Sequence, residues 1–430
     1  MAQFNVQKNS MDGNNKTLFE TVMVAGGVSA YIPKGNLNTT VDAFGRARVS
    51  TPHTLFDSSF RYRDSQDRWN TKLTGSGTVN LDVDASIMEM TVGTASGDQV
   101  IRETDRVFGY QPGKSLLTLN TFTMAPAKTN LRQRVGYFGK DNGFYVQLND
   151  DTLSLVKRSS SSGSLVETVV NQADWNIDPL DGSGPSGVNI NIAKSQIFWS
   201  DIEWLGVGSV RLGFVFNGQF VPCHVFHHAN SIEGTYMTTA SLPVRYEVTN
   251  TGETDSASTL KQICSSVVSE GGYNLTGLTQ SIATPIIGKN LVTGINPIIS
   301  LRLRSGKTDA IVEPREISLY GVQATAFNYK VIRGGTLTNA SWDFGDSDFN
   351  VEYDLSATAI TGGTTILDGI FKGQSTVPVI NLKTVFDTAI QLTRGIIEAD
   401  SAGDILTVAV QPTTNNDDVI ASLTWQNHTA

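Results

Sequence analysis

Residues 131–170 read LRQRVGYFGK DNGFYVQLND DTLSLVKRSS SSGSLVETVV, and this stretch decides the fold class. It contains four short runs rich in apolar residues, at 131–139, 144–148, 153–158 and 165–170. Asn-Gly, Asn-Asp-Asp and serine-rich segments separate the runs, and such residues form the tight turns that join neighbouring strands. The stretch therefore predicts a four-stranded antiparallel meander.

A second hairpin is predicted around Asn217-Gly218, because this dipeptide is typical of two-residue turns. Pro222 has no N–H group to donate, so we expect a bulge or a sheet edge at that position. The same register sends Cys223 to the core face and His224 to the opposite face. Pairing outward from the turn places three apolar pairs on the core face: Val210 with Val225, Leu212 with Cys223, and Phe214 with Val221.

Short segments of alternating polarity continue through the rest of the chain. The alternation at 79–84 changes its phase near Ala85, which predicts a bulge or a tight turn at 85–87. Segment 260–267 fits a helix or a strand about equally well, and the polar segment 250–259 suits a linker or a long loop. Further apolar runs predict a second β-sandwich in an all-β protein: 298–303, 317–322, 379–382 and 405–410.

The composition is polar but weakly charged. Charged residues make up 17% of the 430 residues, and 41 acidic against 32 basic side chains give a net charge of −9. Ordinary soluble domains carry about 25% charged residues. A net-acidic chain without a basic block is a poor nucleic-acid binder, since phosphate neutralisation requires clustered lysine and arginine. No run of about 18 apolar residues predicts a membrane span, and the polar segment 1–16 predicts no secretory signal.

Two clusters contain residue types that bind metals, but neither has the spacing of a metal site. Neighbouring strand residues point to opposite faces, so adjacent histidines cannot share one ion. No nucleophile and no carboxylate pair stands out by its context, so the sequence predicts no catalytic residue, no metal and no cofactor. We interpret the first cluster as the polar end of a strand and the second as a solvated acidic loop: Cys223, His224, His227 and His228, and Asp343, Asp346, Asp348 and Asn350.

Four residues form a candidate glycan-binding set: Trp175, Asp178, Asp181 and Trp204. The two acidic residues flank the start of the glycine-rich loop 181–187, and the tryptophans lie on either side of that loop in sequence. An exposed tryptophan beside such a loop would stack against a sugar, whereas a tryptophan buried in the sandwich core is the commoner case. The exposure of the indole rings therefore decides between the two interpretations.

The segment 44–69 combines arginines with aromatic residues and follows a polar N-terminal arm. Arginine and aromatic side chains are enriched at the centres of protein–protein interfaces. We therefore expect this segment to dock the chain onto a protein partner, although a plain surface loop fits the same pattern. The candidate docking residues are Phe44, Arg46, Arg48, Phe56, Arg61, Tyr62, Arg63 and Trp69.

Several sequence blocks resemble one family of proteins. AFGRARVSTP at 43–52, followed by TLFD at 54–57, is similar to the FGRLRVS-P-TLFD segment of tailed-phage virion structural proteins, notably those of cyanophages and other marine phages. Ala47 stands where that family has a bulkier apolar residue. Further blocks resemble the same family: RSS at 158–160, QADWN at 172–176, LDGSGPSG at 180–187, WLGVG at 204–208, LPVRYE at 242–247, KQICS at 261–265 and SEGG at 269–272.

The resemblance implies a bacteriophage particle component with a lectin-like or jelly-roll antiparallel β-sandwich and no catalytic residues. We therefore predict an arm and anchoring segment at 1–69, a lectin-like sandwich at 70–250 and a second β-sandwich at 251–430. The expected partners are other virion proteins and further copies of this chain, with a homotrimer favoured. The expected location is the virion, assembled in the host cytoplasm and released by lysis, as a tail fibre, baseplate component or other appendage.

Three alternatives remain open from the sequence. The chain could be a glycan-binding module for host attachment, or a capsid decoration or head-fibre protein. It could also be a polysaccharide-cleaving enzyme, which would require a carboxylate pair about 5–10 Å apart in a groove. The residues name no such pair, so we expect the protein not to be an enzyme.

Overall fold

A computed structural model describes residues 6–11, 17–24, 28–33, 51–274, 276–346, 349–386, 391–394, 397 and 403–428. The chain divides into two compact units, Met1–Thr51 and Pro52–Ala430. The described part of the first unit is an antiparallel three-stranded sheet, which falls within the predicted arm. Its strands are β1 (Val6–Met11), β2 (Thr17–Val24) and β3 (Val28–Pro33).

The second unit begins with a β-sandwich. Its described strands are β4 (His53–Ser59), β5 (Trp69–Thr74), β6 (Thr78–Asp82), β7 (Ile87–Val92), β8 (Gln99–Thr104), β9 (Leu116–Thr123), β10 (Leu131–Phe138), β11 (Gly143–Asn149), β12 (Thr152–Ser159), β13 (Val166–Asn171), β14 (Gln196–Ile202), β15 (Val210–Phe216), β16 (Gln219–Phe226), β17 (Val244–Asn250) and β18 (Ser258–Ser269).

These strands form two antiparallel sheets that enclose one apolar core. The seven-stranded sheet has the order β13-β12-β11-β10-β17-β8-β5, and the eight-stranded sheet has the order β16-β15-β14-β9-β18-β7-β6 with β4 paired to β18. Along β9 buried and half-buried residues alternate strictly, as expected for a strand with one face on the core. The sandwich therefore includes strands on both sides of the predicted range 70–250.

The predicted meander is confirmed. Strands β10, β11, β12 and β13 pair in sequence order, each antiparallel to the next. Gly143 at the first turn has φ 138°, and Asp150 at the second has φ 54°. Glycine adopts a φ of 138° because it has no Cβ, and 54° lies in the left-handed region that aspartate tolerates, so the turn residues explain the local chain reversals.

The hairpin at Asn217-Gly218 is confirmed, and its register holds as far as Pro222. Phe214 pairs with Val221 as predicted, and a bulge follows between the pairs Gly213–Pro222 and Leu212–His224. The bulge was expected at Pro222, because proline cannot donate to the sheet.

Beyond the bulge the predicted pairs are wrong by one residue. Leu212 lies opposite His224 rather than Cys223, and Val210 lies opposite Phe226 rather than Val225. Cys223 is the inserted residue and is fully buried in the core, as expected. His224 is buried as well, because the insertion moves it onto the face that Leu212 occupies.

Two further predictions about local structure have clear outcomes. The phase change near Ala85 is a tight turn between β6 and β7, in which Ser86 has φ 57°. The ambiguous segment 260–267 is a strand, because it lies within β18 at the centre of the eight-stranded sheet. The polar segment 251–257 is the loop that joins β17 to β18 within one sandwich.

A second β-sandwich follows in the same unit. Its described strands and short helix are β19 (Leu278–Ala283), β20 (Lys289–Leu291), β21 (Asn296–Leu303), β22 (Val312–Gly321), β23 (Ala326–Arg333), β24 (Thr336–Thr338), β25 (Val351–Asp354), β26 (Ala359–Thr361), β27 (Thr364–Lys372), β28 (Val379–Asn381), α1 (Leu382–Phe386), β29 (Leu406–Pro412) and β30 (Asp417–Asn427).

Two five-stranded sheets enclose the second core. One contains β19-β30-β22-β28 with β20 paired to β30, and the other has the order β25-β21-β29-β23-β27. Trp425 is 1% exposed at the centre of this core. The prediction of an all-β protein with two successive antiparallel sandwiches is confirmed. None of the helices in the described ranges is long and apolar enough to cross a membrane.

Candidate functional site

The predicted docking residues occupy different environments. Phe44, Arg46 and Arg48 lie outside the described residues. Phe56 and Trp69 are buried in the first core, where their rings meet edge to face at 5.8 Å. These two side chains therefore stabilise the sandwich and present no surface to a partner.

The exposed part of the docking segment is the loop between β4 and β5. Tyr62 is 83% exposed, and the Arg61 guanidinium lies 5.5 Å from the centre of its ring. Arg63 forms an exposed ion pair with Asp67 at 3.0 Å. Arg61, Tyr62 and Arg63 thus remain accessible to a partner protein.

The four predicted glycan-binding residues do not form one site. Trp175 is 5% exposed, stacks on Phe214 and donates its indole N–H to the Val170 carbonyl at 3.1 Å. Asp178 is also buried, and its carboxylate accepts the N–H groups of Leu180 and Ser186. Trp175 therefore offers no ring face to a sugar, and Asp178 holds the shape of its own loop.

Asp181 and Trp204 lie at opposite ends of the β9–β14 pair. Asp181 pairs with Asn189, and the chain then runs on to Ile192. The Ile192 carbonyl accepts the N–H of Met124, which directly follows β9. Trp204 follows Ile202, which pairs with the first residue of β9. Asp181 is exposed and accepts two hydrogen bonds from Ser183.

The histidine cluster has a structural role. His224 Nδ1 accepts the Asn176 N–H at 3.2 Å, and His228 Nδ1 lies 2.6 Å from the Gly208 carbonyl. The His228 ring stacks on Tyr236 at 3.9 Å. Burial lowers the pKa of both His224 and His228 below that of a free histidine. Within the described residues no group of three or more such side chains could hold a metal ion.

The acidic loop near residue 343 forms hydrogen bonds between its own side chains and backbone. Asp343 accepts the N–H groups of Phe344 and Gly345. Asn350 donates its side-chain amide to the Asn427 side chain at 3.2 Å, and Asp348 lies outside the described residues.

A cleft of about 690 Å³ opens between the two sandwiches. Tyr110 and Trp204 form its aromatic wall, with ring centres 5.9 Å apart and planes at 82°. The Tyr110 hydroxyl and the Trp204 indole N–H are buried and have no hydrogen-bond partner among the residues described. Trp204 is thus the predicted glycan-binding residue that the structure places in a cavity of ligand size.

The opposite side of the cleft comes from the second sandwich and the segment that leads to it. His428 Nδ1 lies 3.1 Å from the Thr276 carbonyl, and His428 Nε2 lies 3.0 Å from the Glu313 carboxylate. Asn274 and Asp309 lie at the exposed rim.

The sequence gives no direct signal for this cleft. Its residues come from connections that are far apart in the chain, after β8, β14, β16, β18, β21 and β30. The tryptophan could be named in advance, but its neighbours depend on how the two sandwiches pack.

A buried charge network covers the outer face of the seven-stranded sheet. Glu247 lies at its centre, 2.9 Å from Arg245, 3.4 Å from Arg132 and 3.7 Å from Arg134. Burial would raise the pKa of Glu247, but the arginines around it, Arg245 first, lower it to about 2. We call this set the arginine–glutamate network, and its members are Arg132, Arg134, Arg158, Arg245, Glu103, Glu167 and Glu247.

Aromatic rings complete the network. The Arg134 guanidinium lies 5.2 Å from the centre of the Tyr145 ring, and Arg158 lies 5.4 Å from Phe138. Arg158 also pairs with Glu167 at 2.7 Å. Stacking on rings and pairing with carboxylates together allow arginine side chains to be buried in a sheet face.

Two carboxylates at the end of β8 join the sandwiches. Asp105 pairs with Arg333, the last residue of β23, and Arg333 also donates to the Asp67 carbonyl at 2.8 Å. Glu103 pairs with Arg394 at 2.9 Å. Burial raises the pKa of Asp105, and the nearby Arg333 acts in the opposite direction.

Comparison with known proteins gives similarity in structure only. No family model and no curated protein matches the sequence. A protein of unknown function from Shewanella oneidensis has a TM-score of 0.36 at 8% identity and covers 59% of this chain and 100% of its own. A β-glucanase from Bacillus licheniformis has a TM-score of 0.32 at 10% identity, covering 49% of this chain and 96% of its own.

A legume lectin-like domain from Entamoeba histolytica has a TM-score of 0.30 at 13% identity and covers 50% of this chain and 97% of its own. Scores of this size support no conclusion about function. The strands and sheets themselves therefore assign the chain to the all-β class, as a protein of two successive β-sandwiches.

Proposed function

We propose that this chain is a structural component of a bacteriophage particle, which assembles through contacts with further copies of itself and with other virion proteins. The resemblance of its sequence blocks to tailed-phage virion structural proteins supports the assignment to a phage particle. The open edges of its sheets support the proposal that the chain assembles with other chains. The proposal places the protein in the virion, in a tail fibre, baseplate or other appendage, and assigns it no catalytic step.

The observation that carries the assembly proposal is the exposure of large aliphatic side chains on edge strands. In the second sandwich Ile370 on β27 is 82% exposed, Leu278 on β19 is 64% exposed and Val379 on β28 is 63% exposed. In the first sandwich Val166 on the edge strand β13 is 50% exposed. Soluble monomers protect such edges with charged residues or proline, because open backbone groups beside apolar side chains pair with other chains.

The exposed loop of the docking segment adds a second contact surface. Arg61 and Tyr62 lie together there, and arginine and tyrosine are among the residues enriched at interface centres. In a homotrimer each copy would use the same pair of complementary surfaces, one towards each of its two neighbours.

The substitution Ile370→Lys is expected to convert the assembled protein to a monomer. A lysine at this position places a charge on the open edge of β27, which opposes edge-to-edge pairing. The measurement is the molar mass of the purified protein by size-exclusion chromatography with light scattering, with sedimentation together with particles as a second readout.

The matched control is Ile286→Lys, since Ile286 is 87% exposed but lies in a loop between β19 and β20. This variant should assemble as the unmodified protein does. An unmodified chain that stays monomeric and never sediments with particles would contradict the proposal, and equal loss of assembly in both variants would exclude β27 as the interface.

Glycan binding is a second candidate function of the same particle component. It is favoured by the position of Trp204, which lines the cleft between the sandwiches together with Tyr110. A particle protein that holds a surface glycan would contribute to host attachment.

A further inference from the structure

We propose that the cleft between the sandwiches binds a neutral oligosaccharide, with Trp204 and Tyr110 as its apolar wall and Asp309 and Asn274 as its polar rim. This inference rests on the second candidate function and names its ligand class and its residues. Its new element is that the site is composite, because one wall belongs to the first sandwich and the rim is completed from the second.

The size and the wall of the cleft suit a small oligosaccharide. A volume of about 690 Å³ lies within the range of small-molecule sites, which is roughly 300–1,000 Å³. Tyr110 and Trp204 are both half-buried, so part of each ring remains accessible from the cleft. Aromatic rings bind the apolar C–H faces of sugars, and here the rings alone are accessible, because the Tyr110 hydroxyl and the Trp204 indole N–H are buried.

The rim supplies groups that fit sugar hydroxyls. Asp309 and Asn274 are exposed, and neither side chain makes a hydrogen bond or an ion pair with the described part of the chain. A carboxylate accepts from hydroxyl groups, and an amide both donates and accepts. These two side chains can therefore bind a ligand without breaking an existing contact.

Backbone contacts hold the rim in place. Gln111 accepts the backbone N–H of Asn274 at 3.0 Å and the ammonium group of Lys114 at 2.6 Å. The Thr276 carbonyl lies 3.1 Å from His428 Nδ1, and the backbone N–H of His428 donates to the Ile311 carbonyl at 2.9 Å. Pre-organised groups lower the entropic cost of binding.

The charges of the cleft favour a neutral ligand. Lys114 donates to the uncharged side chain of Gln111 and keeps its positive charge, while Asp309 at the rim is negative, so these two lining charges sum to zero. No cluster of free cations among the described lining residues would recognise a carboxylate or a sulfate group. An acidic sugar would meet Asp309 with like charge.

The test compares Asp309→Ala with Asp181→Ala in the full chain. Both residues are exposed aspartates, and Asp181 represents the alternative site in the loop that begins at residue 181. The probes are printed neutral hexose oligosaccharides beside oligosaccharides that carry uronic acid or sulfate groups, followed by calorimetry with the neutral probe that binds best. Circular dichroism confirms that each variant is folded.

Binding of neutral probes that falls about tenfold in Asp309→Ala and stays within about twofold in Asp181→Ala supports the inference, since one charged hydrogen bond corresponds to about that factor. Trp204→Phe, which keeps an apolar ring against the core, should weaken the same binding. Loss in Asp181→Ala alone, binding of acidic probes only, or no binding to any probe would overturn the inference.

Failure of this inference is distinguishable from failure of the particle proposal. Sedimentation with particles is measured on the same variants, and neither Asp309 nor Asp181 lies on an edge strand. A protein that assembles but binds no glycan would contradict only the proposal of glycan binding in the cleft. A monomer that binds glycan but never joins a particle would contradict only the assembly proposal.

Discussion

Replacing Glu247 with glutamine is expected to lower the free energy of unfolding by about 3–5 kcal/mol at neutral pH, because buried arginines lose their shared partner. Glu247 has a side-chain exposure of 3%, and Arg245 beside it has 1%. Glutamine keeps the shape of the side chain but removes its charge. The measurement is chemical denaturation followed by tryptophan fluorescence.

The matched control is Glu167→Gln on the same face of the sheet. The Glu167 side chain is 27% exposed, so water can partly replace its contacts with Arg158 and Arg134. We expect a loss of about 1–2 kcal/mol for this variant. Equal losses in the two variants would contradict the central role of Glu247.

The pH dependence of stability has a definite direction. The pKa of Glu247 is lowered from 4.5 to about 2 in the folded protein, so the stabilisation is present above pH 4.5 and is lost as the pH falls towards 2. This difference corresponds to about 3 kcal/mol. The unmodified protein should therefore lose more stability than Glu247→Gln between pH 5 and pH 2 in the same denaturation experiment.

The sequence alone was sufficient where structure depends on neighbours along the chain. The meander at 131–170 and the turn at Asn217-Gly218 follow from residues that favour particular turns, and the structure has both. The bulge at Pro222 was expected, but its length was not. One inserted residue, Cys223, shifts every later pair, and alternation alone does not give the number of inserted residues.

Burial across sheets was harder to predict. Phe56 and Trp69 are aromatic residues in an arginine-rich segment, a pattern typical of both interfaces and cores, and the structure places them in the core. Arg134, Arg245 and Glu247 alternate with apolar residues as a solvent-facing side would, yet they are buried. Alternation distinguishes two faces of a strand, but it does not show which face is covered.

The cleft illustrates the same limit for a functional site. Trp204 was named from residue type and sequence position, whereas Tyr110, Asn274 and Asp309 carry no sequence signal that links them to it. Contact between two sandwiches brings them together. A site of this kind can be predicted only when the packing of the sandwiches is known.

Contact between the two sandwiches leads to a second prediction, which is that Arg333→Met strongly lowers the free energy of unfolding. Arg333 forms the ion pair with Asp105, whose side chain is 5% exposed just after β8, and Arg106 is a second cation nearby. Without Arg333 the buried carboxylate has lost its ion-pair partner, so we expect a loss of roughly 3 kcal/mol at neutral pH, measured as the shift of the denaturation curve. The double variant Arg333→Met with Asp105→Asn should recover most of this loss, because it removes the buried charge.

The pH response of Arg333→Met should run opposite to that of Glu247. Burial raises the pKa of Asp105 and Arg333 opposes this effect, so the pKa should rise further in the variant. The folded state then binds a proton more tightly than the unfolded state, and the stability contribution of this group grows as the pH falls through the raised pKa. Stability of Arg333→Met that recovers towards that of the unmodified protein on mild acidification would show that the charge of Asp105 causes the loss. A deficit that is independent of pH would instead assign the effect to lost packing of the arginine stem and its contact with Asp67.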